Sequence, residues 1–273
     1  NVIYKNRLLM LDIIANNDWK RPIYFTGGSF GDDDYLWMKD HLQLDGVAYK
    51  LVPIQTPVNP RTPYDMGRID PDKMYEIVKG WDWGNMGSPD IYHDPETRKN
   101  SITYRSNLAR LVESLIQQGE QEKAEEILDL GMENMPVDYY GYYSLLEPFI
   151  DGYFKVGEPE KAKALWEKVV EKYQENLLFY SGWDEARQYE YADNIITDME
   201  RYRSLIDLLF INGEQEFARK KADEFNNYLK LFPRFYDDSE EVEADPEMPT
   251  KEAVENEFQK FQKLDSLDST LLN

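Results

Sequence analysis

A chain of 273 residues with 41% hydrophobic content can bury a core and is not a disordered polypeptide. Its 31 basic and 53 acidic residues leave a net charge of −22, and with no basic stripe to meet a phosphate backbone, nucleic acid is excluded as a partner. There is no cysteine, which excludes disulfides and thiolate metal sites, and no apolar run approaches the roughly 20 residues of a membrane helix.

Residues 2–15 (VIYKNRLLMLDIIA) read as a helix with Ile3, Leu8, Leu11 and Ile14 turned inward and with Asn16–Asp18 ending it. Residues 22–26 (PIYFT) read as a short strand. Gly27, Gly28 and Gly31 then make a loop, and Asp32–Asp34 cap a helix over 35–44. A second strand is predicted over 47–54 (VAYKLVPI). A helix between two strands predicts a small β-α-β unit, whose strands would be parallel. A proline-rich stretch follows, from Pro53 to Pro71, and leads into a short helix over 71–79. Residues 80–94 (GWDWGNMGSPDIYHD) read as irregular and aromatic.

The hexad Gly-Glu-x-Glu-x-Ala then recurs three times, at 119–124 (GEQEKA), 157–162 (GEPEKA) and 213–218 (GEQEFA). Self-similarity of this kind marks stacked helical repeats. Glycine ends one helix in the left-handed region, and the acidic residues after it sit at the start of the next, where the helix dipole favours them. Alanine follows at the close approach of the two helices. One turn beyond each alanine stand Leu128, Trp166 and Ala222. Before each glycine, at the same four offsets, runs an apolar stripe. The stripes are Leu108, Leu111, Val112 and Leu115; Leu146, Phe149, Ile150 and Tyr153; Tyr202, Leu205, Ile206 and Leu209. These read as tetratricopeptide-like helix pairs, the first closing near Pro136. The glycines stand 38 and 56 residues apart, so the second gap, 177–199, predicts an extra or a lengthened helix.

Residues 237–257 carry ten acids against the single Lys251, which reads as a solvated acidic linker, since the calcium-loop pattern with its central glycine is absent. Residues 251–267, with Val254, Phe258, Phe261 and Leu264, predict a final capping helix. The fold class expected is mainly α: tetratricopeptide-like repeats preceded by a small α/β subdomain. The domains expected are 1–100, 101–236, and a linker with C-terminal helix over 237–273.

Catalytic signatures are missing. The loop TGGSFGDDD lacks the lysine and hydroxyl of a phosphate-binding loop, and His41 and His93 have no metal-ligand spacing. No serine nucleophile elbow occurs. No catalytic residue, cofactor or metal is therefore expected. Aromatics are the better lead, with 20 Tyr, 12 Phe and 6 Trp. Trp81 and Trp83 flank Asp82, and Tyr139, Tyr140, Tyr142 and Tyr143 surround Gly141, with Trp81, Trp83, Tyr139, Tyr140 and Tyr143 the binding candidates. Such rings suit sugars or peptides; they equally suit helix-pair cores. Arg68 and Arg105 are candidate anchors for carboxylate or phosphate groups.

Taken together, residues 17–53 with RPIYF and L-x-G-x-A-Y-x-L-V-P, then YDMGRID at 64–70, MYE at 74–76, WG at 83–84 and PDIYHD at 89–94, resemble a known bacterial family. The chain is similar, over about residues 1–230, to the C-terminal soluble region of multi-spanning membrane proteins of the protein O-mannosyltransferase-like, GT-C type. The GGSFGDDD loop and the long 177–199 insert depart from that pattern. The resemblance implies a parent with an N-terminal bundle of membrane helices. Its catalytic acidic residue would lie in a loop of that bundle, and its donor would be a polyprenyl-phosphate sugar. No catalytic residue of the family maps onto this chain, and the first helix would lead from the membrane into the domain. The start at Asn1, without methionine, agrees with a longer parent.

The function expected is thus a non-catalytic periplasmic domain that holds a protein, peptide or glycan acceptor, or docks a partner, beside its own membrane-embedded domain. The alternative is an autonomous interaction scaffold unconnected with sugar transfer. A soluble enzyme built on the N-terminal α/β part is a third class, without a recognisable nucleophile.

Overall fold

The structure is a computed structural model and describes residues 4–26, 36–56 and 66–235. It is mainly helical, with a small three-stranded sheet near the N-terminal end followed by a helical region. The residues gather into two compact units, Asn1–Leu145 and Leu146–Asn273.

In the first unit, helix α1 spans Lys5–Asn17 and ends on Asp18 and Trp19, both at positive φ. It buries no residue fully, and Leu8 and Leu11 are exposed. Only Met10 and Ile14 lean on the small core of Phe25, Met38, Leu42, Leu51 and Met66. The inward face expected from Leu8, Leu11 and Ile14 is therefore corrected to Met10 and Ile14, one turn apart on a single narrow stripe. Ile3 lies outside the described residues.

Strands β1 (Tyr24–Thr26), β2 (Leu42–Asp45) and β3 (Ala48–Leu51) form a sheet in the order β1-β3-β2, and both pairings are antiparallel. The parallel β-α-β unit is not formed. The helix expected over 35–44 is instead a 3-10 turn, Leu36–His41, running into β2. The reason lies in residues 42–45: Leu42 and Leu44 alternate with Gln43 and Asp45, a period of two. Gly46 then takes φ +71 in the two-residue turn that folds β3 back on β2. Leu42, Leu44, Phe25, Tyr49 and Leu51 share one face of the sheet; Tyr24, Gln43, Asp45 and Lys50 share the other.

Helix α2 spans Pro71–Lys79, as expected, with the Asp70 carboxylate accepting from the Lys73 backbone N–H. After the irregular residues 80–94, Asp94 caps helix α3, Pro95–Gln117, by accepting from the Glu96 and Thr97 N–H groups. Helix α4, Gln121–Asn134, packs along α3, and a single helical turn, Val137–Tyr140, follows.

The second unit holds α5 (Glu147–Lys155), α6 (Pro159–Ser181), a short helix Glu185–Glu190, α7 (Ala192–Ile211) and α8 (Gln215–Leu229). Helix α6 packs on α5 and α7, and α7 on α8. The 177–199 insert holds both a lengthened helix and an extra one.

The three hexads fold alike. Gly119, Gly157 and Gly213 have φ of +81, +88 and +83. The N–H of the next residue returns to a carbonyl five positions back in every case: Glu120 to Leu115 at 2.9 Å, Glu158 to Tyr153 at 2.9 Å, Glu214 to Leu209 at 3.0 Å. The glycine N–H groups bond three positions back, to Ile116, Phe154 and Phe210. This is the double bond of a Schellman cap. Ala124, Ala162 and Ala218 are fully buried, and so are or nearly are all twelve residues of the preceding stripes. The acidic run and capping helix expected within 237–273 lie outside the described residues.

Candidate functional site

The aromatic residues singled out in the first unit form two clusters. Trp81 and Trp83 meet edge to face, with centroids 5.2 Å apart, and Tyr104 of α3 completes the group at 5.3 and 5.7 Å. Trp81 lies on the β2–β3 turn: a Cβ on Gly46 would come within 2.9 Å of its Cζ2. Gly46 is thus fixed by positive φ and by the indole above it, and its carbonyl accepts from Asn107 Nδ2 at 2.9 Å. Both tryptophans are half-buried, and the buried Trp83 Nε1 has no hydrogen-bond partner.

The second cluster centres on His93, stacked on Tyr139 at 5.6 Å and tilted against Tyr140 at 5.1 Å. The buried Tyr140 hydroxyl donates to the Met86 carbonyl at 3.0 Å, and His93 Nε2 lies 3.0 Å from the Ser88 carbonyl. Burial pushes the Tyr140 pKa up, against the opposing pull of Arg105. Gly87 sits so close to α4 that a Cβ there would collide with the Glu133 carbonyl. Residues 80–94 are therefore a strap fastened down by rings and glycines.

Arg105 is fully buried. Its guanidinium donates to the Met135 carbonyl at 2.8 Å and the Gly141 carbonyl at 2.5 Å, and burial brings its pKa down to about 10. It holds the chain that carries Tyr139, Tyr140 and Tyr143, and it does not face solvent. Tyr143 is half-buried in the 3-10 turn Tyr143–Leu145. Arg68, half-buried, belongs to the sheet, where Nη1 donates to Gln43 Oε1 at 3.0 Å.

A more open aromatic surface lies in the second unit, where α6 ends. Trp183 is surrounded by Phe179 at 5.1 Å, Tyr180 at 5.1 Å and Tyr191 at 5.0 Å, and the Arg187 guanidinium lies 4.2 Å over its ring. The loop is organised by Gln188, whose Nε2 donates to the Tyr180 and Trp183 carbonyls at 3.2 Å each, and by Asp184, which caps the short helix at the Arg187 N–H. Phe179 is 63% exposed and Tyr189 79%. Arg234 pairs with Glu185 of the same loop, and Phe235 helps line a cleft of about 250 Å³ with Ile196, Met199, Arg203 and Phe225. Of this surface the sequence offered one signal: the aromatic, acidic insert that breaks the repeat spacing.

Among the described residues no three or more His, Cys, Asp or Glu side chains converge as a metal site, and no helix is long and apolar enough to cross a membrane.

A family model described as TMEM260-associated domain 2 matches residues 1–73. That stretch holds α1, the three strands and the approach to α2. No curated protein and no solved structure matches.

Proposed function

We propose that this chain is a non-catalytic domain of a membrane glycosyltransferase, lying on the periplasmic side of the membrane, and that it holds a glycan-bearing acceptor near the membrane active site. The glycosyltransferase association is supported by the family match at residues 1–73, the same part of the chain that carries much of the resemblance to protein O-mannosyltransferase-like proteins. The acceptor reading rests on one observation: the end of α6 and the organised loop after it offer Phe179, packed on Trp183, and Tyr189 to solvent. Ring faces accept the C–H face of a sugar, and Asp184, Glu185 and Glu190 on the same loop offer acceptors for its hydroxyls. Trp81 and Trp83 serve this reading less directly, since they also pin the strap to the sheet.

Truncating Phe179 and Tyr189 together to alanine removes exposed rings and leaves the core intact. The expected result is an unchanged fold, with transfer to acceptors reduced about tenfold or more in membranes carrying the full-length parent. Unchanged transfer at every acceptor concentration would sink the proposal.

A second reading is an autonomous tetratricopeptide-like interaction scaffold. It is favoured by the matching geometry of the three hexad junctions, because stacked helix pairs are usual peptide-binding surfaces. Its discriminator lies upstream of Asn1: a long hydrophobic sequence with an acidic residue in its first external loop supports the enzyme parent, and a simple signal peptide supports the scaffold.

A further inference from the structure

The polar face of the sheet gathers cations in a chain of net charge −22. Tyr24, Lys50 and Gln43 stand directly opposite one another across β1, β3 and β2. Asp45, two residues beyond Gln43 on the same face, is the anchor of the group, with its side chain only 2% exposed. It accepts from Gln43 Nε2 at 2.8 Å, from the Tyr24 hydroxyl at 3.1 Å and from Lys73 Nζ, at the start of α2, at 3.2 Å. Gln43 in turn accepts from Arg68 Nη1.

One carboxylate thus serves Lys73 and, through Gln43, orients Arg68. Asp70 is committed to the N-terminus of α2, and Asp72, next to Lys73 in sequence, pairs with Lys123 at 3.1 Å. Among the described residues Lys50 makes no ion pair of its own; its amine lies 6.0 Å over the Tyr24 ring, on the face where Asp45 holds Lys73, and the pull of Asp45 on it is the weakest of the influences it feels. The Lys73 ammonium, hydrogen-bonded toward Lys50, holds the Lys50 pKa below the ordinary lysine range, with burial acting the same way. Two amines on one half-exposed face that share a single buried carboxylate are incompletely neutralised. A multivalent oxyanion between them would accept N–H bonds from both and leave Arg68 able to offer its remaining donors.

We propose that this face binds a phosphate group, seated between Lys50 and Lys73 with Arg68 at its edge. The site is separate from the aromatic loop of the second unit and does not depend on it. The five residues that build it with Tyr24 (Gln43, Asp45, Lys50, Arg68 and Lys73) all fall at or before residue 73, within the matched stretch. The phosphate could belong to a soluble phosphoester or to a lipid headgroup. Hydrogen-bonded oxyanion chemistry is common to both.

The test uses the whole chain. Inorganic phosphate and pyrophosphate are titrated by calorimetry, and flotation is measured with phosphatidylcholine vesicles carrying a minority of phosphatidic acid. Lys50→Gln is compared with Lys99→Gln, a change of equal charge at an exposed position of the same unit. Saturable phosphate or pyrophosphate binding, weakened about tenfold or more by Lys50→Gln and not by Lys99→Gln, supports the site with a soluble ligand. The same pattern with vesicles alone supports a lipid phosphate. The Lys50 pKa should also rise on binding, read by NMR of the lysine side chains. Absence of saturable binding to every probe, or equal loss in both variants, overturns the proposal.

Discussion

The two units solve the problem of buried backbone differently. In the first, buried or half-buried polar side chains of α3 reach out to carbonyls of irregular chain. Asn107 bonds Gly46, Arg110 bonds Met66 and Gly67 at 3.0 and 2.7 Å, and Arg105 bonds Met135 and Gly141. In the second, the interior is mostly rings and aliphatic groups: Trp166 meets Phe217 at 5.6 Å and Tyr202 meets Phe225 at 4.8 Å. A buried side-chain bond to backbone there is Trp166 Nε1 to the Leu205 carbonyl, at 2.7 Å. The difference follows from regularity. A helix satisfies its own backbone, so helix pairs can be joined by apolar surface. Residues 46–47, 66–70, 80–94 and 135–145 lie in no long helix or strand, and their buried carbonyls need side-chain donors.

The largest way to break this contrast is Arg105→Met. Packing volume is largely kept, but two buried carbonyls lose their donors, and the expected cost is about 3 kcal/mol. Urea unfolding read by hydrogen exchange should place that loss in α3 and residues 135–145, with the amides of α6 and α7 little changed. A loss below about 1 kcal/mol would mean that water replaces the guanidinium and that the polar ties of the first unit are dispensable.

A sharper question concerns the repeats. At Gly119, Gly157 and Gly213 a Cβ would meet no atom within 4 Å, so alanine there tests backbone strain alone. Each substitution is expected to cost about 1 kcal/mol, and the three costs should agree within a few tenths. Thermal denaturation of the three single variants checks it. One site differing from the others by more than about 1 kcal/mol would deny that the junctions are energetically equivalent.

Those junctions were legible in the sequence because one local cause repeats. Glycine at the left-handed position, acids after it and alanine on the inner face all act within a single turn of chain, and the three stripes that precede the glycines are buried. The sheet was not so legible. Asp45-Gly46 is a hairpin signal, yet a helix over 35–44 competed with it. Only the pairing of Tyr24 with Lys50, 26 positions away, shows which face each side chain takes. Helix α1 failed for the opposite reason. Its apolar residues satisfy a helical stripe, but the cluster beside the sheet is so small that, of α1, only Met10 and Ile14 pack against it. Four of the candidate rings, Trp81, Trp83, Tyr139 and Tyr140, fall in two ring clusters, while Arg105 could not be assigned inward from sequence, because its carbonyl partners lie 30 and 36 positions downstream. The open rings of 178–191 were signalled only as a break in spacing.

The smallest effect expected carries the opposite sign and belongs to the second unit, where polar burial is the exception. Asp198 of α7 is almost fully buried, and its carboxylate accepts from Asn176 Nδ2 at 2.9 Å. Burial raises its pKa above the ordinary 3.8, outweighing the bond from Asn176 and the pull of Arg201. The folded chain therefore holds the Asp198 proton to higher pH than the unfolded chain does. Whatever this group adds to stability is fully present below pH 3.8 and is lost as pH rises through the raised folded value. Asp198→Asn keeps an oxygen for Asn176 and removes the buried charge. It should stabilise the second unit at neutral pH by a few tenths of a kcal/mol to about 1, with no gain in acid. Melting curves of both proteins across the acid range decide the matter. The two should coincide at low pH and separate as pH rises, and a variant less stable than its parent at neutral pH would mean that the Asp198 charge is held for a partner rather than merely tolerated.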